Sequence, residues 1–207
     1  MTVRLVWATP DAEKHIMYCA RVSNPKNQDS GDTKLLKYCM KHGHWSVFEM
    51  ASMCVEIKTT RAIARQILRH KSFSFQEFST RYAEVEDAPI WQETRLQDTK
   101  NRQNSISDGV PDGLAAGFLV AQREVWEKAM KEYKRALKEG VAKEQARALL
   151  PEGLAPSTMY MSGTLRSWIH YTDLRCENGT QKEHQVIAKE CRKILETILP
   201  AIKGDKL

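Results

Sequence analysis

The chain has 207 residues, 42% of them hydrophobic and 28% charged, with a formal net charge of +6. That composition suits one soluble globular domain over residues 1–207 with a real core; no apolar run approaches the roughly 20 residues of a membrane helix, and the first residues lack a secretory apolar stretch, so a cytoplasmic protein with no membrane partner is expected. The positive charge favours anionic partners without choosing among nucleotides, folates and nucleic acid.

Thr9 before Pro10 reads as the cap and first position of a helix carrying Ile16, Met17 and Cys19 toward Arg21 and Ser23. Residues Asn24 to Gly31 are polar and turn-like. Asp32 is placed to cap a helix from Thr33 to Lys41 with Leu35, Leu36, Cys39 and Met40 on its apolar positions, and Gly43 stops it. His44-Trp45-Ser46-Val47-Phe48-Glu49 follows. Met53, Val55 and Ile57 then alternate with Ser52, Cys54 and Glu56, the period of a strand.

Thr60 can cap a helix from Arg61 to about Arg69. Arg61, Arg65 and Arg69 fall four apart and make one basic stripe, and Gln66 shares the Arg69 end of it. The stripe runs into Arg69-His70-Lys71-Ser72-Phe73-Ser74-Phe75-Gln76-Glu77-Phe78-Ser79-Thr80-Arg81-Tyr82, where cations, hydroxyls and a carboxylate interleave with aromatics. Forked guanidiniums and hydroxyls suit phosphate, and a carboxylate accepts from a sugar or base. The alternation of Ser79 and Arg81 with Thr80 and Tyr82 suggests that the stretch ends in a strand.

Asp87 to Gly113 reads as a long loop with some irregular helix. Leu114 to Glu139 is a long helix ended by Gly140, with Phe118, Val125, Trp126, Met130 and Tyr133 as a stripe for a core or subunit interface. Ala146-Arg147-Ala148-Leu149-Leu150-Pro151 closes a short helix. Ser157 to Ser162 alternate like a strand, Thr164 opens a helix to Arg175, and Thr180 with Glu183 forms a capping box for a last helix running to Pro200. The fold class is α+β: an antiparallel sheet flanked by helices, the long helix of the second half packing on it.

The chain has five cysteines, none in a Cys-x-x-Cys pair and none after a proline, so no disulfide framework, metal site or Pro-Cys nucleophile is expected. Ser79 lacks a His/Asp relay and would be a weak nucleophile.

The stretch from Arg69 to Tyr82 resembles the signature of the flavin-dependent thymidylate synthases, Arg-His-Arg-x-x-Ser-x-Asn-Glu-x-Ser-x-Arg-Tyr, through Arg69, His70, Ser74, Glu77, Ser79, Arg81 and Tyr82. Lys71 replaces the third Arg and Gln76 the Asn. The helix after Thr164 resembles the family's Asn-x-Arg-Ser-x-x-Asn/His-Phe-x-x-Leu-Arg through Arg166, Ser167, His170, Leu174 and Arg175, with Thr164 in place of Asn. Gln181 and Glu183 fit the family's Ala-Gln-x-Glu ending, and His44, Ser46 and Phe48-Glu49 a further block. Likeness covers roughly Leu35 to Tyr82 and Val141 to Glu190, plus a short Ala20-Arg21-Val22-Ser23 echo.

The resemblance implies C5 methylation of dUMP to dTMP, with 5,10-methylenetetrahydrofolate as carbon donor, FAD as redox carrier and NADPH as reductant, in a homotetramer whose subunits share sites. It implies dUMP contacts from Gln66, Arg69, Glu77, Phe78, Ser79, Thr80, Arg81, Arg147 and Arg175. FAD contacts would come from His44, Ser46, Arg69, His70, Lys71, Glu77, Thr164, Arg166 and His170. Arg175 would be the catalytic cation at the uracil N3–O4 edge. Two alternatives stand beside it: a flavin-dependent relative making a different C5-modified pyrimidine, and a single-stranded nucleic-acid module stacking bases on Phe73, Phe75 and Phe78.

Overall fold

The computed structural model describes residues 1–86 and 88–204. Its Cα framework divides into two compact units: Met1, Lys58–Arg69 and Glu77–Met159 in one, Thr2–Ile57, His70–Gln76 and Tyr160–Leu207 in the other. A four-stranded sheet has the order β1 (Thr2–Ala8), β2 (Ser52–Thr60), β6 (Pro156–Thr164), β3 (Ser74–Glu77). Leu165 N–H donates to Ala51 O, Tyr160 Oη to Glu56, and Arg61 N–H to Ala155 O. The numbers in each pair add to the same total, as antiparallel strands require.

In the second unit, α1 (Ala12–Ala20), α2 (Lys34–Lys41), the 3-10 turn Trp45–Met50, α6 (Leu165–Arg175) and α7 (Lys182–Ile198) surround buried Ile16, Leu36, Phe48, Met53, Val55, Ile57, Met161 and Trp168. Ile187, Cys191 and Leu195 turn one stripe of α7 inward, and α6 packs along it. The Trp168 indole N–H donates to Met53 O at 3.1 Å, so the largest buried ring keeps its polar atom satisfied.

In the first unit, α3 (Arg61–Ile67), β4 (Leu96–Gln97), β5 (Ser105–Ile106), α4 (Asp112–Lys138) and α5 (Lys143–Ala146) follow one another. The long helix was expected to lie on the sheet. Within its own unit it buries Trp126 and Tyr133 against Val85, Ala146, Leu150, Leu154 and Ala155. The Tyr133 hydroxyl accepts from Val85 N–H at 3.2 Å. Gln122 exchanges two bonds with the Gln92 backbone, accepting at 2.7 Å and donating at 3.0 Å, which fixes the preceding loop on α4. That loop carries the short β4–β5 ladder, which its polar composition did not reveal; its expected first residue, Asp87, lies outside the described residues.

Several boundaries moved for local reasons. Thr9 caps no helix: its N–H donates to Ser52 O at 2.9 Å and its hydroxyl accepts from Ser52 N–H at 3.0 Å, so it extends the sheet, and α1 starts after Asp11. β1 itself was not foreseen, although Val3, Leu5 and Trp7 alternate with Thr2, Arg4 and Val6. The strand expected over Ser79–Tyr82 lies earlier, at Ser74–Glu77. Phe78 N–H still donates to Thr158 O at 2.9 Å, but the next ladder step meets Pro156, which has no N–H. The chain then turns, with Tyr82 and Ala83 N–H groups on Ser79 O. Gln181, not Thr180, precedes α7, and Glu183 accepts from the Gln181 side chain instead of closing a box.

Candidate functional site

The first unit gathers most of the nucleotide-side candidates. Thr60 caps α3 by accepting from Ile63 N–H at 3.4 Å and so orients the basic stripe. Arg61 pairs with Glu77 at 3.6 Å and Arg65 with Glu152 at 2.5 Å, while Arg69, exposed at the end of the stripe, has no side-chain partner among the described residues. The stripe is thus neutralised by carboxylates except at Arg69. Gln66 is half-buried one turn before it.

Glu77 is held from two sides: the Ser157 hydroxyl donates to it at 2.6 Å, beside the Arg61 guanidinium. Ser157 and Arg61 were not singled out as site residues, and only the fold shows that they converge on Glu77. Thr80 is buried and accepts from Arg147 at 3.4 Å, while Arg147 also donates to Glu144 O at 3.2 Å. Thr80 and Arg147 line a cavity of about 320 Å³ with Arg61, Arg65, Glu144 and Glu152, a volume in the range of small-ligand sites. Arg81 lies against Glu144 through Nε at 3.1 Å and a second nitrogen at 3.0 Å, and lines an open cleft with Ser79 and Tyr82. That ion pair is exposed, so separating its partners costs little. Phe78 borders a separate hollow with Glu84, Ser157 and Thr158.

The second unit gathers the remaining candidates. Thr164 caps α6 by accepting from Ser167 N–H at 3.3 Å. The Ser167 hydroxyl donates to Ser72 O at 3.3 Å, so the start of α6 fastens the turn that holds His70 and Lys71. Thr164 therefore spends its acceptor on the helix. Arg166 forms an ion pair with Glu49. His170 is exposed, its ring edge-on to Trp45 at 4.5 Å, and His44 sits 5.9 Å from the Tyr38 ring. Ser46 and Lys71 are exposed.

Arg175 donates through Nε to Nε2 of His70 at 2.9 Å. A guanidinium accepts no hydrogen bond, so Nε2 of His70 is the acceptor in this contact. Among the described residues Arg175 has no carboxylate partner. Behind His70, the Tyr171 ring stands edge-on at 4.8 Å, and its hydroxyl lies 3.0 Å from Nε2 of His184. Burial, then the Arg175 charge and His70, depress His184 to about 4; burial raises Tyr171 well above the ordinary phenol range.

Phe73 is buried, packed on Trp168 at 4.8 Å and Tyr171 at 5.7 Å. It is a core ring and not the stacking platform that the nucleic-acid alternative needs. Burial also pushes up the thiols of Cys39, Cys54, Cys176 and Cys191, which opposes a thiolate nucleophile at those positions.

A flavin dinucleotide needs cations and hydroxyls for its diphosphate and donors for its ring edge. The exposed His44, Ser46, Lys71 and His170, with Arg166 beside Glu49, make a donor set that fits such a group.

Residues 4–201 match the family described as Thymidylate synthase complementing protein, a span that takes in both units. Over 204 residues the chain is 49% identical to the "Probable flavin-dependent thymidylate synthase" of Paramecium bursaria Chlorella virus 1, covering 98% of this chain and 94% of that protein. It is 51% identical over 187 residues to the "Flavin-dependent thymidylate synthase" of Synechocystis sp., covering 90% and 86%. Among solved structures, the UMP/dUMP methylase PolB from Streptomyces cacaoi with 5-Br dUMP superposes with a TM-score of 0.85 at 28% identity, over 97% of this chain and 91% of that one.

Proposed function

This chain belongs to the thymidylate synthase complementing protein family, as a flavin-dependent thymidylate synthase, and we propose how its residues divide the work. Arg69, Arg81 and Arg147 hold the phosphate of dUMP by charge-assisted bonds. Gln66, Glu77, Ser79 and the backbone at Phe78 and Thr80 orient its sugar. Glu77 is preset for that task by Ser157 and Arg61. His44, Ser46, Arg69, His70, Lys71, Glu77, Thr164, Arg166 and His170 hold FAD. Thr164 contributes through the helix start that it caps and the turn fastened there. When bound, the flavin supplies the electrons that reduce the transferred carbon, which comes from 5,10-methylenetetrahydrofolate, with NADPH as reductant.

Arg175 is the catalytic residue. One observation carries the assignment: its guanidinium is held by an imidazole nitrogen and by no carboxylate among the described residues. Its charge is therefore uncompensated and preset to stabilise the negative charge that builds on the uracil N3–O4 edge as C5 attacks. The burial-raised thiols support a route without cysteine attack. We further propose a cytoplasmic homotetramer with sites shared between subunits. Unpaired cysteines suit a reducing compartment, and Leu114, Phe118 and Val125 leave α4 with exposed apolar surface for a neighbouring copy.

Product analysis after incubation with 5,10-methylenetetrahydrofolate, FAD, NADPH and either dUMP or UMP tests the activity. dTMP is expected from dUMP. A UMP arm is included because PolB is described as a UMP/dUMP methylase, and a C5-modified pyrimidine other than dTMP as the product would favour the alternative of a relative with a different product. Arg175→Ala should lose roughly two to three orders of magnitude in turnover, about 3–4 kcal/mol of barrier, with flavin still bound. Near wild-type turnover, or a defect confined to flavin loss, would overturn the assignment.

A further inference from the structure

Helix α2 buries Leu36, Cys39 and Met40 and turns a different set outward. Lys34, Tyr38, Lys41 and His42 are exposed along its other side, Tyr38 by 54%. Residues four apart lie one above the next, so Tyr38 and His42 form an aromatic row, with their rings 4.3 Å apart. Lys34 and Lys41, seven residues apart, are separated by about 10 Å along the helix axis and form a cationic row beside it. Neither ammonium has a side-chain partner among the described residues. Asp32, before the first turn, accepts from the Lys34 backbone N–H at 3.0 Å.

The end of α2 joins this face to the flavin candidates. Gly43 takes a left-handed φ of 70°, and the chain closes on the helix through two bonds: Gly43 N–H to Met40 O at 3.2 Å and His44 N–H to Cys39 O at 2.8 Å. That paired closure folds His44 back over the last turn. Its ring stands edge-on to Tyr38 at 5.9 Å and lies 6.3 Å from His42. Three exposed rings thus make one continuous shelf, which begins at a residue assigned above to FAD.

We propose that this face of α2 receives the tail of the folate co-substrate: the aminobenzoyl ring lies on the aromatic row and the glutamate carboxylates meet Lys34 and Lys41. The inference rests on the reading of 5,10-methylenetetrahydrofolate as carbon donor. The donor carbon has to reach the flavin, so the remainder of the folate extends away from it, and the shelf runs outward from His44. A planar ring followed by carboxylates complements aromatics flanked by ammonium groups. Lysines act as point charges that suit carboxylates, whereas a compact diphosphate is better matched by guanidinium forks. Two cations two turns apart match anions spread along a chain, so a tail of several γ-linked glutamates fits better than one.

The test is titration calorimetry on the FAD-loaded full chain, with tetrahydrofolate carrying one or three γ-linked glutamates. The triglutamate should bind about fivefold tighter, as two exposed ion pairs allow, and the difference should shrink with added salt. Lys34→Gln with Lys41→Gln should erase the difference, and Lys34→Arg with Lys41→Arg should keep it. Tyr38→Ala should weaken both forms about fivefold through the lost ring contact; should that variant not fold, the lysine pairs decide. If the wild type makes dTMP but binds both forms equally, the tail site is wrong and the carbon-donor reading stands. If it binds neither form and makes no dTMP from 5,10-methylenetetrahydrofolate, the carbon-donor reading itself fails. If the glutamine pair keeps the triglutamate preference but loses FAD or raises KM for NADPH, the face serves a dinucleotide and the proposal is overturned.

Discussion

Single side chains in this protein earn their roles by what holds them. Arg61, Arg65, Arg81 and Arg166 each face a carboxylate, whereas Arg175 faces an imidazole and Arg69 faces no side chain among the described residues. Formal charge is the same for all six; available charge is not. His184 adds a pH signature of its own. Its folded value of about 4 lies below the ordinary 6.5, so the unfolded chain binds the proton more tightly. Stability is therefore fully present above about pH 6.5 and is lost as pH falls toward 4. Denaturant titrations should show about 2 kcal/mol less stability at pH 5 than at pH 7 from this group. His184→Gln should flatten that slope, and an unchanged slope would count against a buried neutral His184.

Among the elements, β6 and α6 place the most. β6 brings Ser157 to Glu77 in one unit, and α6 starts at its end in the other, with Thr164 capping and Ser167 clasping Ser72. Gly163 explains why Phe73 can sit so close to this strand. A Cβ on Gly163 would lie 2.5 and 2.8 Å from two Phe73 ring carbons, well inside contact distance. The ring cannot retreat freely, because Trp168 and Tyr171 pack on it. Gly163→Ala should therefore destabilise by about 1–3 kcal/mol and weaken flavin binding through the His70–Phe73 turn. Adding Phe73→Leu should restore part of the loss. A melting temperature unchanged by Gly163→Ala would show that the ring has room to move.

For the whole molecule, the apolar residues divide into those that a unit uses and those it leaves out. On α4, Trp126 and Tyr133 are 7% and 1% exposed, but Leu114, Phe118 and Val125 are 48%, 43% and 53% exposed. A helix that is apolar on a second face has a second surface to bury. Sedimentation velocity should show an assembly larger than one chain, and Phe118→Asp should shift it toward smaller species with parallel loss of turnover. A wild-type chain that sediments as a monomer while fully active would rule out shared sites.

The signature from Arg69 to Tyr82 and the block from Thr164 to Arg175 carried the family, because fixed spacing of chemically demanding residues survives without any knowledge of packing. Periodicity gave β2, α3, α4 and β6 within a few residues, since each buries one face and closes on a local cap or glycine, as Thr60 does for α3 and Gly140 for α4. What depended on long-range pairing was not legible. Thr9 looked like a cap until Ser52 claimed its polar atoms, the signature's strand stopped where Pro156 offered no N–H, and Phe73 looked like a ligand platform until Trp168 covered it. The tertiary structure alone decided that Ser157 and Arg61 meet at Glu77, and that His184 and Tyr171 stand behind His70 and Arg175. Those partners lie far apart in the chain, and no local periodicity encodes a contact that only the closed fold brings within hydrogen-bond reach.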